Sequence, residues 1–272
     1  MVSIATIPVV SQYRFDAEKH IHTLDGQPLM GTSTVVGALG KPLTYWAAGC
    51  ALTPLGWLNR KKSTAKERRE SASAKQDIIR DMLIDEYVAL LESCYHAHTK
   101  VLKDTASAGT NTHKALEHYV QACIDDQDGA PQAPLPGLLL PAVEVFANWA
   151  IEHVQKFLWS EKHCYSEELW VGGISDCGAL LTTGSTAVID FKRKGCYYSQ
   201  FVQIGGYAIQ VEENGLFTAD GQPYEECEVS EIDELIVFPN DGKLRIEPAE
   251  PYMQRFAEVV NIYKHQQEYD ND

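Results

Sequence analysis

The sequence predicts a mixed α/β fold of the α+β kind, and three observations carry that reading. Residues 33–124 hold apolar positions at helical spacing, residues 164–193 break into short strand-like segments separated by glycine turns, and the remainder mixes both patterns. Taken in order, Tyr13 to Leu29 alternates around Asp25-Gly26 and reads as a hairpin. Ser33 to Leu39 and Pro42 to Leu58 read as helices, the second bent near Pro54 and Gly56. Ser63 to about Lys103 carries neither proline nor glycine and reads as one long helix, followed by another over Gly109 to Ile124. Three prolines and two glycines make Gln127 to Gly137 a loop. A helix is expected over Leu139 to Leu158, then strands at Cys164 to Val171, Gly173 to Leu181 and Ala187 to Arg193. Helix Tyr197 to Glu212, strands Leu235 to Phe238 and Leu244 to Glu247, and helix Glu250 to His265 complete the order.

The 272 residues are 44% hydrophobic and 22% charged, which suits a globular chain with a sizeable core. Lys and Arg number 23 against 38 Asp and Glu, a net charge of −15, so no basic coat grips nucleic acid over the whole surface. The balance is uneven, however. Between Asn59 and Arg80 stand eight Lys or Arg and three Asp or Glu, a local charge of +5. The seven cysteines are scattered with no C-x-x-C spacing, which predicts neither a zinc site nor an iron–sulfur cluster and fits a reducing cytoplasm. Met1 to Val10 lacks the pattern of a signal peptide, and no apolar run reaches the length of a membrane span.

Chemistry concentrates in Gly173-Ile-Ser-Asp176, the turn Thr182 to Ser185, and Val188-Ile-Asp190-Phe-Lys192. If Thr182 to Ser185 turns the chain, Asp176 and Asp190 face each other across a hairpin. Lys192 then shares the face of Asp190, while Ile189 and Phe191 point the other way. Two facing carboxylates repel unless a cation lies between them, and such oxygen ligands suit Mg²⁺ or Mn²⁺. A solvent-exposed Asp190–Lys192 pair is the plain alternative for this segment. Upstream, His113 and Glu117 lie one helical turn apart. Downstream, Gln200, Gln203, Tyr207 and Gln210 form a polar stripe that, alone, reads as a solvated helix face.

In this order the motifs G-x-x-x-H, G-x-x-D, apolar-apolar-D-x-K and Q-x-x-x-Y resemble the RecB-like branch of the PD-(D/E)XK nucleases. The lead-in from Gly31 to Trp46 is similar to that of phage exonucleases and of the mitochondrial genome-maintenance exonuclease. The resemblance covers about residues 20 to 210. It implies a PD-(D/E)XK core, a mixed sheet flanked by helices, with an N-terminal helical subdomain over 30–105 and a catalytic core over 106–272. It further implies one or two Mg²⁺ or Mn²⁺ ions held by His113, Asp176, Asp190 and the Phe191 carbonyl. Lys192 would position the attacking water, and Gln203 and Tyr207 would steady the site or touch DNA. Glu117 and Glu168 are lesser acidic candidates. The implied activity is hydrolysis of DNA from a free end, single- or double-stranded, in a phage-type recombination setting beside a strand-annealing protein.

The basic run has two readings. Arg60, Lys61, Lys62, Lys66 and Arg69 could guide a DNA strand, with Trp46 and Trp57 available for stacking, or form a solvated helix face. Two functional alternatives also stand beside the exonuclease: a DNA-binding recombination module with a degenerate site, and a sequence-specific endonuclease.

Overall fold

The computed structural model describes residues 12–40, 44–134, 140–227 and 229–271. Met1 to Val10, Pro42 and the last residues of the expected proline-rich loop lie outside these segments. The described chain divides into two compact units, one of residues 44–111 and one of 12–40 with 112–271.

The larger unit begins with a three-stranded antiparallel meander, β1 (Tyr13–Asp16), β2 (Ile21–Leu24) and β3 (Gln27–Pro28). Asp25 and Gly26 both take positive φ between β2 and β3, the geometry of a tight two-residue hairpin turn. Strand β4 (Met30–Gly31) and helix α1 (Thr32–Val36) follow. Both were expected to open the helical subdomain. They belong instead to the larger unit, because Val35 and Val36 bury against Val171, Val202 and Phe256.

The smaller unit contains α2 (Thr44–Leu52), a 3₁₀ turn at Thr53–Leu55, α3 (Ala65–Arg80) and the first part of α4 (Ile84–Gln127). Helix α3 starts where Thr64 and Glu67 form a reciprocal capping box. The single helix expected over Ser63 to Lys103 is broken at Asp81–Leu83 without help from proline or glycine. At the break the backbone N–H of Asp81 closes α3 on the Ile78 and Ile79 carbonyls, and the Glu86 side chain accepts the Leu83 N–H at 2.9 Å to open α4. The separate helix expected from Gly109 is continuous with α4, since one interior glycine costs only about 1 kcal/mol.

The larger unit then builds its main sheet. Helix α5 (Pro141–His153) leads into β5 (Val154–Ser166), β6 (Val171–Leu181) and β7 (Thr186–Lys192). Helix α6 (Tyr198–Asn214), β8 (Glu234–Pro239), β9 (Arg245–Pro248) and α7 (Glu250–Asn271) complete it. The helix expected to reach Leu158 therefore ends five residues earlier. Val154 to Ser160 gains a ladder with β6 and buries Phe157 and Trp159, which tertiary pairing favours over two more turns of helix. Gly178 makes room for that indole, as a Cβ there would lie 2.1 Å from the Trp159 ring.

The sheet is mixed. Its order is β4-β6-β7-β8-β9 with β5 along the other edge of β6, and the β4–β6 and β7–β8 pairs are parallel. One face carries Ile189, Phe191, Ile236 and Phe238 under α4 and α5. The other carries Val188, Leu235 and Val237 under α6. Alternation along β7 thus sends Asp190 to the α6 side, away from Ile189 and Phe191 as the sequence indicated. Among the described residues no helix is long and apolar enough to cross a membrane.

Candidate metal centre

Three neighbouring strands present a row of carboxylates. The β6–β7 ladder pairs Cys177 with Ile189, so Asp176 comes next to Asp190 in the register expected from the turn. The ladder stops there. Instead of a further backbone bond, the Phe191 N–H donates to Asp176 Oδ2 at 2.9 Å, and the strands part around the two acids. On the other edge of β6, Ser160 pairs with Cys177 and Lys162 with Ser175, which brings Glu161 opposite Asp176. Glu161 has φ +47°, an uncommon conformation for a residue with a side chain.

His113 reaches this row from α4. Its Nε2 lies 2.8 Å from Asp176 Oδ2 and its Nδ1 lies 3.3 Å from Glu161 Oε1. Ligand-capable atoms of His113, Glu161 and Asp176 all fall within 4.8 Å of one another. Asp190, expected as a ligand beside Asp176, is buried and engaged by Lys192, whose Nζ lies 2.5 Å from Asp190 Oδ2. Phe191 contributes its N–H as described, while its ring packs into the core.

The polar stripe of α6 is not a solvated face. Tyr207 and Gln210 are buried, and Gln210 donates to Thr32 Oγ1 at 2.8 Å. Gln203 Nε2 donates to Tyr207 Oη at 2.8 Å. The Tyr207 ring lies against Gly173, where a Cβ would come within 2.5 Å, so the glycine of the G-x-x-D motif admits the tyrosine to the sheet. Gln200 is spent elsewhere, accepting the Tyr197 N–H at the start of α6.

Of the lesser acidic candidates, Glu117 is near and Glu168 is not. Ser160 Oγ donates to the Glu117 carbonyl, and the Glu117 charge is felt by Glu161. Glu168 sits in the turn after β5, where its N–H is taken by Glu213. Glu161 is the residue that sequence reasoning missed. Its signal is its position opposite Asp176, hidden because the sequence predicts helix as far as Leu158 and no strand before Cys164.

Electrostatics follow from crowding. Burial and the Asp176 charge push the Glu161 carboxyl up to about 8, despite His113. Burial likewise pushes Asp190 up to about 7 against the pull of Lys192. Burial also disfavours a charged His113, but the hydrogen bond and charge of Asp176, with Glu161 and Asp190 behind it, hold the ring up at about 9. Burial works against ionisation of Asp176 too, yet His113, Lys192 and the Phe191 N–H keep it below the usual carboxylate range. Lys192 is disfavoured by burial and nevertheless held above its ordinary value by Asp190 and Asp176. Burial and the two aspartates keep Tyr207 a neutral phenol.

The donor set fits a divalent cation. Glu161 Oε1 is buried and makes no hydrogen bond beyond its 3.3 Å ion-pair contact with His113 Nδ1, and the carboxylate and imidazole ligands suit Mg²⁺ or Mn²⁺. No protein-family model matches the chain, and no curated protein does.

The charge pattern has a measurable consequence. Between pH 6.5, the ordinary histidine value, and about 9, the folded metal-free site holds protons on His113 and Glu161 that the unfolded chain has released. Stability in chelator should therefore fall as pH rises through that window. Saturating Mn²⁺ should remove most of the fall, because it replaces the protons. At pH 7, calorimetry in buffers of different ionisation enthalpy should show release of about one to two protons per ion bound. No release at pH 7 would mean that the cation binds elsewhere.

The basic residues belong to the smaller unit. Arg60, Lys61 and Lys62 lie in a turn before α3, not on a helix, and Lys66 and Arg69 are exposed on α3 itself. Lys66 is loosely paired with Glu70 at 3.8 Å, a surface contact of little energetic weight. Trp46 on α2 is partly exposed.

Proposed function

We propose that the protein is a divalent-metal-dependent deoxyribonuclease that hydrolyses phosphodiester bonds from DNA ends. The observation that carries this reading is the convergence of His113, Glu161, Asp176 and Asp190 beside a charged Lys192 where β6 and β7 part. His113, Glu161 and Asp176 would hold the cation, with Asp190 adjoining. A bound Mg²⁺ or Mn²⁺ would supply Lewis-acid chemistry, polarising the phosphate and lowering the pKa of a water held beside it.

The chain's own groups do the rest. Lys192 stays an ammonium, so it is a donor and not a base: it orients the attacking water and stabilises charge growing on the phosphate. The neutral Tyr207 phenol, fixed by Gln203, borders the same carboxylates and offers an O–H to them or to the DNA strand. The motif resemblance favours an exonuclease of the phage recombination type, working beside a strand-annealing protein.

End-labelled linear DNA and closed circular DNA, each single- and double-stranded, test the reading when incubated with Mg²⁺ or with chelator. Mg²⁺-dependent loss of linear substrate with intact circles supports an exonuclease. Cleaved circles would make it an endonuclease, and binding without cleavage a recombination module.

An acidic protein must also hold a polyanion, and the basic run is its largest local positive charge. Each phosphate neutralised contributes about −0.7 to −0.9 to the log–log salt dependence of binding. Replacing Lys66 and Arg69 by Gln should therefore flatten that slope by roughly one to two units. An unchanged slope, read with a labelled oligonucleotide in Ca²⁺, would return these residues to a solvated helix face.

A further inference from the structure

The smaller unit contains a pocket with chemistry of its own. The 3₁₀ turn after α2 and α3 border an open surface pocket of about 420 Å³. Leu52, Leu55 and Ala72 give it apolar walls, Trp57, Arg60 and Arg68 supply its polar and aromatic groups, and no acidic residue lines it. Trp57 is 41% exposed although its indole is held in place. The ring backs onto Gly49, where a Cβ would come within 3.0 Å of it, and the Trp57 backbone N–H fixes the main chain by donating to the Leu52 carbonyl at 3.1 Å. The turn is equally fixed. Gly56 takes φ +92°, and a Cβ there would lie 2.8 Å from the Ser71 carbonyl, so only glycine lets the turn sit directly on α3. Arg68 donates through Nη1 to the Ser63 carbonyl, which anchors the guanidinium and leaves further N–H groups unspent on that bond.

We propose that this pocket takes one nucleotide of single-stranded DNA, its base against the Trp57 indole and its phosphate between Arg60 and Arg68. The proposal rests on the DNA reading above and gives it a specific subsite. Charge selects the occupant: in a chain of net charge −15, this cavity gathers two guanidinium groups and no carboxylate. Guanidinium forks match phosphate oxygens, and an indole presents a flat face that any base can stack on. Because the indole and the turn are held before binding, little ordering cost remains to be met.

Fluorescence polarisation of a labelled ten-nucleotide oligo(dT), with Ca²⁺ replacing Mg²⁺, tests the pocket apart from cleavage. Trp57→Leu should weaken binding by about 5- to 150-fold, the usual worth of one base–aromatic stack, and Trp57→Phe should recover much of it. Arg60→Gln, in an exposed turn where folding is not at stake, should reduce the salt slope by about 0.7. An oligonucleotide with abasic positions should bind weakly and be indifferent to Trp57→Leu. The proposal is overturned if Trp57→Leu and Arg60→Gln bind oligo(dT) like the unaltered protein, if the abasic strand suffers the same Trp57 loss, or if poly-glutamate competes as well as DNA. Failure of the nuclease reading looks different: no Mg²⁺-dependent cleavage, with Trp57-dependent binding intact. Normal cleavage with Trp57-independent binding removes only the pocket.

Discussion

DNA cleavage by the Asp190→Asn protein is expected to fall by about 10³-fold or more, because a carboxylate of the reacting centre supplies several kcal/mol of charge organisation. Asn keeps the side-chain volume, so no cavity opens in the buried strand β7, where residue 190 stays paired with Val237. Two opposing effects act on folding. Removing the charge relieves repulsion with Asp176, but it also takes the partner from Lys192. Relief is also expected at Glu161, where burial and the Asp176 charge outweigh the pull of His113, whose Nδ1 lies 3.3 Å from Oε1. Glu161→Gln should raise the melting temperature in chelator at pH 8 to 9, by roughly 2–4 °C for each kcal/mol of repulsion removed, and should abolish most of the stabilisation by Mn²⁺. Unimpaired cleavage by Asp190→Asn, with the metal still required, would place the chemistry elsewhere.

Lys192→Ala should lower turnover at saturating DNA by about 10² to 10⁴-fold while leaving the affinity for Mn²⁺ at least as high. The reason is the ion pair. The ammonium lies 2.5 Å from Asp190 Oδ2, so it would compete with a cation for that carboxylate and is not itself a ligand. Its charge is needed in the transition state, where negative charge grows on the phosphate. Calorimetric titration separates the two roles. Loss of Mn²⁺ binding as large as that of Asp176→Asn would mean that Lys192 holds the site together and does not act on the substrate.

The hairpin at the heart of the site was legible because its register depends on a local turn. Thr182 to Ser185 closes through the Leu181 N–H to Ser185 carbonyl bond with Gly184 at φ +92°, and the facing of Asp176 and Asp190 then follows by counting. The role of Gly173 was legible only as a motif letter; its physical reason, the approach of Tyr207, depends on α6 packing across the sheet. Glu161 was not legible. Val154 to Leu158 is a short, mostly apolar run, and periodicity alone does not separate a strand from the last turns of a helix in such a run. Long-range pairing with β6 decides it, and that pairing is what carries Glu161 opposite Asp176. Nor was the break between α3 and α4 legible, since it involves no proline or glycine and is marked only by Glu86 capping the Leu83 N–H.

The most direct measurement is anomalous diffraction from crystals soaked in Mn²⁺, collected with a parallel assay showing that Mn²⁺ supports DNA cleavage. The account requires a strong anomalous peak among the side chains of His113, Glu161, Asp176 and Asp190, lost in Glu161→Gln and Asp176→Asn crystals together with cleavage. Mn²⁺-dependent cleavage in solution with no peak among those four residues would contradict it.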